Sequence, residues 1–347
     1  MKKVLYLLVF CCLFTTGISA EKAAPMTDLM KPELILVHQG KMYISDGIHI
    51  NIYDAKSFKL EKKIGKEGEG PREFSKPPIP WFPLIHFYVT DKLVVTSHGK
   101  ITHFSLSGTF LDEAKTPVRT RFTPIAPGGD KLVSVEMARN DKENYFSYHL
   151  YRWVDGKLER GKEFFKSSYP EQEGKKINPI LMAELGKAYF RHSYKDRVYI
   201  PTYDGRVHVF DRSGKEVLNF LPPYKKVKFT SAIEKKYDDF FMRDIRYKIP
   251  YKRDKDNNNL QFPAYLDLLK DYRVADDRLY LLSSNKIKGQ YDTFIYDLQG
   301  KLIENTLLPL KDQDVFAISP YTITGGKIYQ LIENEDEEWD LHITPVK

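Results

Sequence analysis

The sequence predicts an all-β protein: a six-bladed β-propeller of four-stranded antiparallel blades, with one inserted amphipathic helix. Three observations predict it. Strand-forming aromatics are abundant, with 23 Tyr and 21 Phe against 3 Trp, and they alternate with Val and Ile in short runs. A turn motif recurs: an aromatic residue, often Asp, two variable residues, then Gly-Lys-apolar. Its aromatic positions, Tyr53, Phe104, Trp153, Phe210 and Tyr296, follow one another at 51, 49, 57 and 86 residues. Apart from the last gap, which holds an insertion, that is the length of a four-stranded blade.

Residues 1–20 read as a secretory signal peptide. Lys2 and Lys3 precede an apolar run over residues 4–14, and Gly17-Ile18-Ser19-Ala20 then meets Glu21-Lys22. The run is short of the roughly 20 residues a spanning helix needs, so an N-terminal anchor is the lesser alternative. Cleavage after Ala20 leaves one propeller domain over residues 21–347, in the periplasm or secreted. Cys11 and Cys12 both lie in the leader, and neither follows the small residue a lipobox requires. The mature chain then has no disulfide, catalytic thiol or Cys-ligated metal. Loss of Lys2 and Lys3 lowers the net charge from +7 to +5. The charges are interspersed, whereas a nucleic-acid binder concentrates them on one face. No later segment is apolar enough to span a membrane.

The motif is complete at Phe210-Asp211-Arg212-Ser213-Gly214-Lys215 and at Tyr296-Asp297-Leu298-Gln299-Gly300-Lys301. Tyr53-Asp54-Ala55-Lys56-Ser57 carries Ser for Gly, and Phe104-Ser105-Leu106-Ser107-Gly108 loses the Asp. Asp and Gly supply the turn between two outer strands, because both tolerate positive φ. A second hairpin precedes each copy, at Asp46-Gly47, His98-Gly99 and Asp204-Gly205. Blades are expected to begin near Glu33, Leu84, Phe122, Leu185, Leu268 and Val315. The sixth holds three strands, so a strand near residues 26–30 is expected to complete it and remove an open sheet edge.

The insertion spans about residues 224–263. Ser231 with Glu234 reads as a capping box, and Ile233, Tyr237, Phe240, Phe241 and Ile245 fall at helical spacing. One amphipathic helix is expected on a propeller face, followed by a polar loop at Lys252-Arg253-Asp254-Lys255-Asp256-Asn257-Asn258-Asn259. The helix serves either as a cover for core edges or as the wall of a cleft. The nearby Lys225, Lys226, Lys228, Lys235 and Lys236 suit an acidic ligand, or simply solvent.

The stretch Gly65-Lys66-Glu67-Gly68-Glu69-Gly70-Pro71-Arg72-Glu73-Phe74 resembles the NHL-like six-bladed β-propeller proteins of bacteria, in which a strand ends in Gly-x-x-Gly-x-Gly-Pro-x-x-Phe. Many members carry Gly where Arg72 stands. Lys41-Met42-Tyr43-Ile44-Ser45-Asp46-Gly47, and Pro263-Ala264-Tyr265 before Arg278-Leu279-Tyr280, are similar to theirs too. The likeness is good over the first blade and loose elsewhere. It implies a fold and no activity.

Catalytic signatures are lacking. The glycine-rich stretch is not a phosphate loop, since Pro71 and Pro77-Pro78-Ile79-Pro80 oppose the helix such a loop opens. His38 and His192 read as ends of innermost strands and His86 as a beginning, so the three sit too far apart to share zinc. No Gly-x-Ser-x-Gly elbow occurs. Asp276-Asp277 and Asp238-Asp239 read as a solvated turn and helix face. His98 and His208 read as hairpin residues.

The expectation is a non-enzymatic module binding a protein, peptide or small molecule at the channel mouth, near Arg72, Trp81, Tyr203 and Tyr237. No cofactor or metal site is predicted, and the protein is expected to be a monomer. The alternative is a periplasmic hydrolase, lactonase or lyase with Ca²⁺ in the channel, because calcium's oxygen ligands leave no compact signature. A scaffold in an envelope protein complex is a third reading.

Overall fold

The computed structural model describes residues 21–75, 85–117, 122–125, 129–139, 144–168, 176–184 and 192–346. The leader, Trp81, and the blade starts placed at Leu84 and Leu185 lie outside them. Strand β1 (Glu21–Pro25) stands alone at the start. Blade one follows with β2 (Pro32–His38), β3 (Lys41–Asp46), β4 (His49–Asp54) and β5 (Leu60–Ile64). Blade two holds β6 (His86–Val89), β7 (Leu93–Ser97), β8 (Lys100–Phe104) and β9 (Phe110–Lys115). Blade three holds β10 (Phe122–Pro124), β11 (Lys131–Arg139), β12 (Asn144–Val154) and β13 (Lys157–Ser168), and helix α1 (Pro179–Glu184) comes after it. Blade four holds β14 (His192–Tyr194), β15 (Arg197–Pro201), β16 (Val207–Asp211) and β17 (Glu216–Phe220). Helices α2 (Ser231–Arg243) and α3 (Lys248–Asp256) precede blade five, which holds β18 (Leu269–Ala275), β19 (Arg278–Ile287), β20 (Gln290–Asp297) and β21 (Leu302–Leu308). Blade six holds β22 (Tyr321–Thr324), β23 (Lys327–Glu333) and β24 (Trp339–Pro345).

Each blade is an antiparallel meander whose strands pair in chain order. The first strands adjoin around the ring: β2 meets β22 and β6, and β14 meets β10 and β18. One blade cannot bury its two faces alone, so six apolar clusters form, one between each pair of neighbours. Between blades one and two, for example, Tyr43 and Ile52 pack with Phe87 and Val95. Strand alternation divides the residues: Val133 and Val135 face blade four, while Leu132 faces blade two.

The repeated turn has two jobs. The Asp211 carboxylate accepts from the backbone N–H of Ser213 (2.7 Å) and Lys215 (3.0 Å), and Asp297 does the same for Gln299 (2.9 Å) and Lys301 (2.8 Å). Gly214 and Gly300 take φ of 76° and 82°. A Cβ on Gly214 would lie 2.8 Å from the Phe164 Cβ of blade three, and one on Gly300 would lie 2.9 Å from Leu218 of blade four. The glycine thus turns the chain and lets the preceding blade approach.

Ring closure comes from β1, slightly earlier than the expected residues 26–30. It pairs antiparallel with β24, Lys22 opposite His342. A closing edge strand needs only backbone pairing, so it accepts the exposed Glu21 and Lys22. Met26 and Leu29, within the span expected to pair, instead fill the core between blades six and one. The Asp46 carboxylate then holds the backbone N–H of Lys31 at 2.6 Å.

The insertion departs from expectation. It contains two helices. Thr230, not Ser231, caps α2: its Oγ1 accepts from the Ile233 N–H, and its backbone is extended. Ile245 is not on the apolar face, because Asp244 leaves the helix there and Ile245 is 87% exposed. The expected polar loop is largely α3. Pro250 sits in that helix's first turn, where a missing N–H costs nothing, and Tyr251 is its one buried residue.

Candidate functional site

In such a meander, the middle hairpin and the crossing to the next blade share one face. Around blades four to six that face encloses a cavity of about 740 Å³. Its roof is α2, whose Ile233, Tyr237 and Phe240 recur at helical spacing. The roof is anchored by its own aromatic core. Phe240 and Tyr237 pack against Phe316 with ring centroids at 5.1 and 5.0 Å, and Tyr251 of α3 stacks on Phe241 at 4.7 Å. Asp238, expected to be solvated, receives the Tyr251 hydroxyl (2.8 Å) and Lys255 (2.5 Å), which joins the two helices.

The walls come from separate chain segments. Asn178 caps α1 by accepting from the backbone N–H of Ile180 (3.1 Å) and Leu181 (3.2 Å), and all three line the cavity. Tyr203 enters from the β15–β16 turn, and Asn285 and Lys286 from the β19–β20 hairpin. Beside them, Asp312 accepts from the Tyr291 hydroxyl and from Lys286 Nζ (2.5 Å). Burial and the Asp312 charge push the Tyr291 pKa up, so the hydroxyl stays protonated and donating. The Val315 carbonyl takes both Lys270 Nζ (2.9 Å) and the Tyr237 hydroxyl (3.4 Å).

On the channel wall, the guanidinium of Arg273 on β18 lies over the Tyr321 ring at 4.2 Å. Its Nη1 donates to Asp271 Oδ1 (2.8 Å) and approaches His192 Nε2 at 3.3 Å. Burial first, and Arg273 second, lower the His192 pKa to about 3, against the pull of Asp271. His192 is the first described residue of β14, two residues before that strand ends and the chain turns at Lys195. Its ring faces the Arg273 guanidinium, a poor setting for a metal ligand. Among the described residues no group of three His, Cys, Asp or Glu is placed to hold a metal ion.

Of the residues singled out in the sequence, Tyr203 and Tyr237 come together at the cavity. Arg72 does not join them. It lies over Phe110 at 4.8 Å, its N–H donating to Glu113 (3.0 Å), against the outer strand of blade two. Trp81 is outside the described residues. The glycine-rich stretch before Arg72 wraps around buried Phe74, whose N–H donates to Lys66 O at 2.7 Å. Asp276 and Asp277 do form a tight turn, yet neither is idle. Asp276 accepts from Gly325 and Gly326 N–H (3.1 and 2.9 Å), and Asp277 pairs with Lys195 at 2.5 Å, tying blades four, five and six. Sequence reasoning missed Asn178, Tyr291 and Asp312, which no motif marks.

A second polar group lies on blade three. Ser147 Oγ bonds His149 Nε2 (2.9 Å) and Glu163. Serine and histidine are buried within the sheet face, and none of the three lines the cavity.

Strands, ring and closure define a six-bladed β-propeller with a lidded cavity on one face. The chain belongs to the DUF5128 family, a 6-bladed beta-propeller, whose model matches residues 27–246. No curated protein matches the sequence. Solved structures similar to it include the AfRom2 CNH domain, at 9% identity over 94% of this chain and 98% of that one, with a TM-score of 0.42. The computationally designed Ika8 protein is 8% identical over 94% and 99%, with a TM-score of 0.40. BamB from Moraxella catarrhalis is 11% identical over 89% and 83%, with a TM-score of 0.34. Scores at this level carry no argument about function.

Proposed function

We propose that this propeller is a non-catalytic binding module whose ligand occupies the cavity under α2. The observation that carries the reading is the cavity itself: a recess of about 740 Å³ under α2, lined by apolar and aromatic side chains and, in near-equal number, by polar and charged ones. That volume is ordinary for a small-molecule or peptide site. Lys236 and Arg243 in its lining are exposed, as is Asp239, while Asp312 holds Lys286 and Asp292 holds Asn285. Such a site suits an amphipathic ligand with an apolar body and an acidic end. The leader-like residues 1–20 support export to the periplasm or beyond. The glycine-rich likeness at residues 65–74 supports kinship with the NHL-like bacterial propellers.

The test uses anilinonaphthalene sulfonate, a small apolar body with one anionic group. Saturable binding at one site is expected. Val227 lines the cavity and is only half-buried. Val227→Trp should plug the site and weaken binding by about tenfold or more, equivalent to roughly 1.4 kcal/mol, with Tm unchanged. Affinity that Val227→Trp leaves intact would sink the reading.

A further inference from the structure

Three exposed large apolar side chains stand apart from the rest. Met30 is 88% exposed, Ile245 87% and Ile249 79%, while the next among the described residues, Met137, is 55%. All three belong to the face that carries the cavity. Ile245 forms the elbow between α2 and α3, and Ile249 lies in the first turn of α3. Met30 lies in the crossing from β1 to β2, which leaves the ring on that same face.

The charge around these tips is of one net sign. Lys31, Arg243, Lys248 and Lys252 are exposed there. The acids among them are answered: Arg246 forks onto Asp244 through Nε (2.9 and 3.0 Å) and Nη2 (2.5 Å), and Arg253 Nε meets Asp254 at 3.1 Å. Asp28, near Met30, and Asp256, one turn from Lys252, are the exposed acids beside them, and the four cations outnumber these two.

Side chains exposed to this degree protrude, with no wall beside them. Protruding apolar tips beside cations match a soft surface whose headgroups are anionic and whose interior is apolar. We infer that the α2–α3 elbow docks this propeller onto an anionic lipid surface. Ile245, Ile249 and Met30 enter the headgroup region, and Lys31, Lys248 and Lys252 meet lipid phosphates. Arg243 borders the elbow and also lines the cavity, so docking brings the cavity rim to the lipid.

Co-sedimentation of the purified protein with vesicles tests this. Vesicles mixing phosphatidylglycerol with phosphatidylcholine should bind it, and pure phosphatidylcholine should bind it about tenfold less, the gap narrowing with added salt. The pairs Ile245→Ser with Ile249→Ser, and Lys248→Glu with Lys252→Glu, should each weaken binding by about tenfold or more at unchanged Tm, since all four side chains are exposed. Three outcomes overturn the proposal. The protein stays in the supernatant with anionic vesicles; or both pairs bind like wild type; or ultracentrifugation shows a dimer that the isoleucine pair disperses, which assigns the patch to a second copy.

Discussion

His192 illustrates what the channel wall does to single residues. Its ring stands edge-on to Tyr272 at 4.8 Å and against the Arg273 guanidinium. The Tyr272 hydroxyl donates to Tyr199 O (3.0 Å) and accepts from His192 N–H (3.1 Å), so blades four and five are tied by hydrogen bonds made at this residue. The folded protein keeps His192 neutral until about pH 3, whereas the unfolded chain protonates it near 6.5. Protons therefore bind the unfolded state first. The stabilisation is complete above pH 6.5 and is lost as pH falls from 6.5 toward 3, by up to about 1.4 kcal/mol per pH unit. His192→Gln keeps an acceptor for Arg273 but cannot titrate. Urea unfolding at a series of pH values should show wild type losing about 2 kcal/mol more than the variant between pH 6.5 and about 4.5. His38, His103, His149 and His342 also have lowered pKa values, yet they act equally in both proteins and cancel from the difference. Parallel curves would show that burial does not hold His192 neutral.

Among the elements, the repeated hairpin turn was the most legible, because its chemistry is local. Asp and Gly are needed at fixed offsets wherever that turn occurs, so Phe210-Asp211 and Tyr296-Asp297 could be read directly. Their second role, as the seat of the neighbouring blade, could not be read, since Phe164 and Leu218 belong to other blades. Two substitutions separate the roles. Gly156 has φ of 72° with nothing within 4 Å of a would-be Cβ, so Gly156→Ala carries only the left-handed cost of roughly 1–2 kcal/mol. Gly214→Ala adds a 2.8 Å contact with the Phe164 Cβ, which cannot swing aside because it is fixed to its backbone. It should cost at least about 1 kcal/mol more, the lower range of overpacking penalties. Equal losses on thermal unfolding would remove the blade-seating role. The helices were less legible for the same reason. Tyr251 earns a helix from Lys252 and its neighbours by stacking on Phe241 and bonding Asp238, partners more than one turn away in the chain. The cavity was half legible: Tyr203 and Tyr237 lie in a recognisable turn and a periodic helix, whereas Asn178, Tyr291 and Asp312 meet only once the ring closes.

At the scale of the whole molecule, the ring depends on the two ends of the described chain meeting. Closure was inferred from a sixth blade with one strand too few. Its position shifted because apolar residues mark buried core, while the closing strand is an edge held by backbone pairing. Met26 N–H donates to Trp339 O at 2.7 Å, Lys22 meets Asp340 at 2.9 Å, and Trp339 Nε1 reaches Met30 O at 3.4 Å. These contacts are few, yet they join segments separated by nearly the full length of the domain. A covalent latch there closes a very long loop and should restrict the unfolded chain strongly. Lys22 and His342 are registered partners across β1 and β24. With Cys11 and Cys12 changed to serine, Lys22→Cys with His342→Cys leaves a single possible disulfide. Oxidation should stabilise the protein by about 2–4 kcal/mol and raise Tm by on the order of 5 °C over the reduced form. Comparing oxidised with reduced protein cancels the lost Lys22–Asp340 pair, which both forms lack. If the bond forms and Tm does not move, then β1 is already free of β24 before the transition, and the ring unfolds as an open chain of blades rather than as a closed unit.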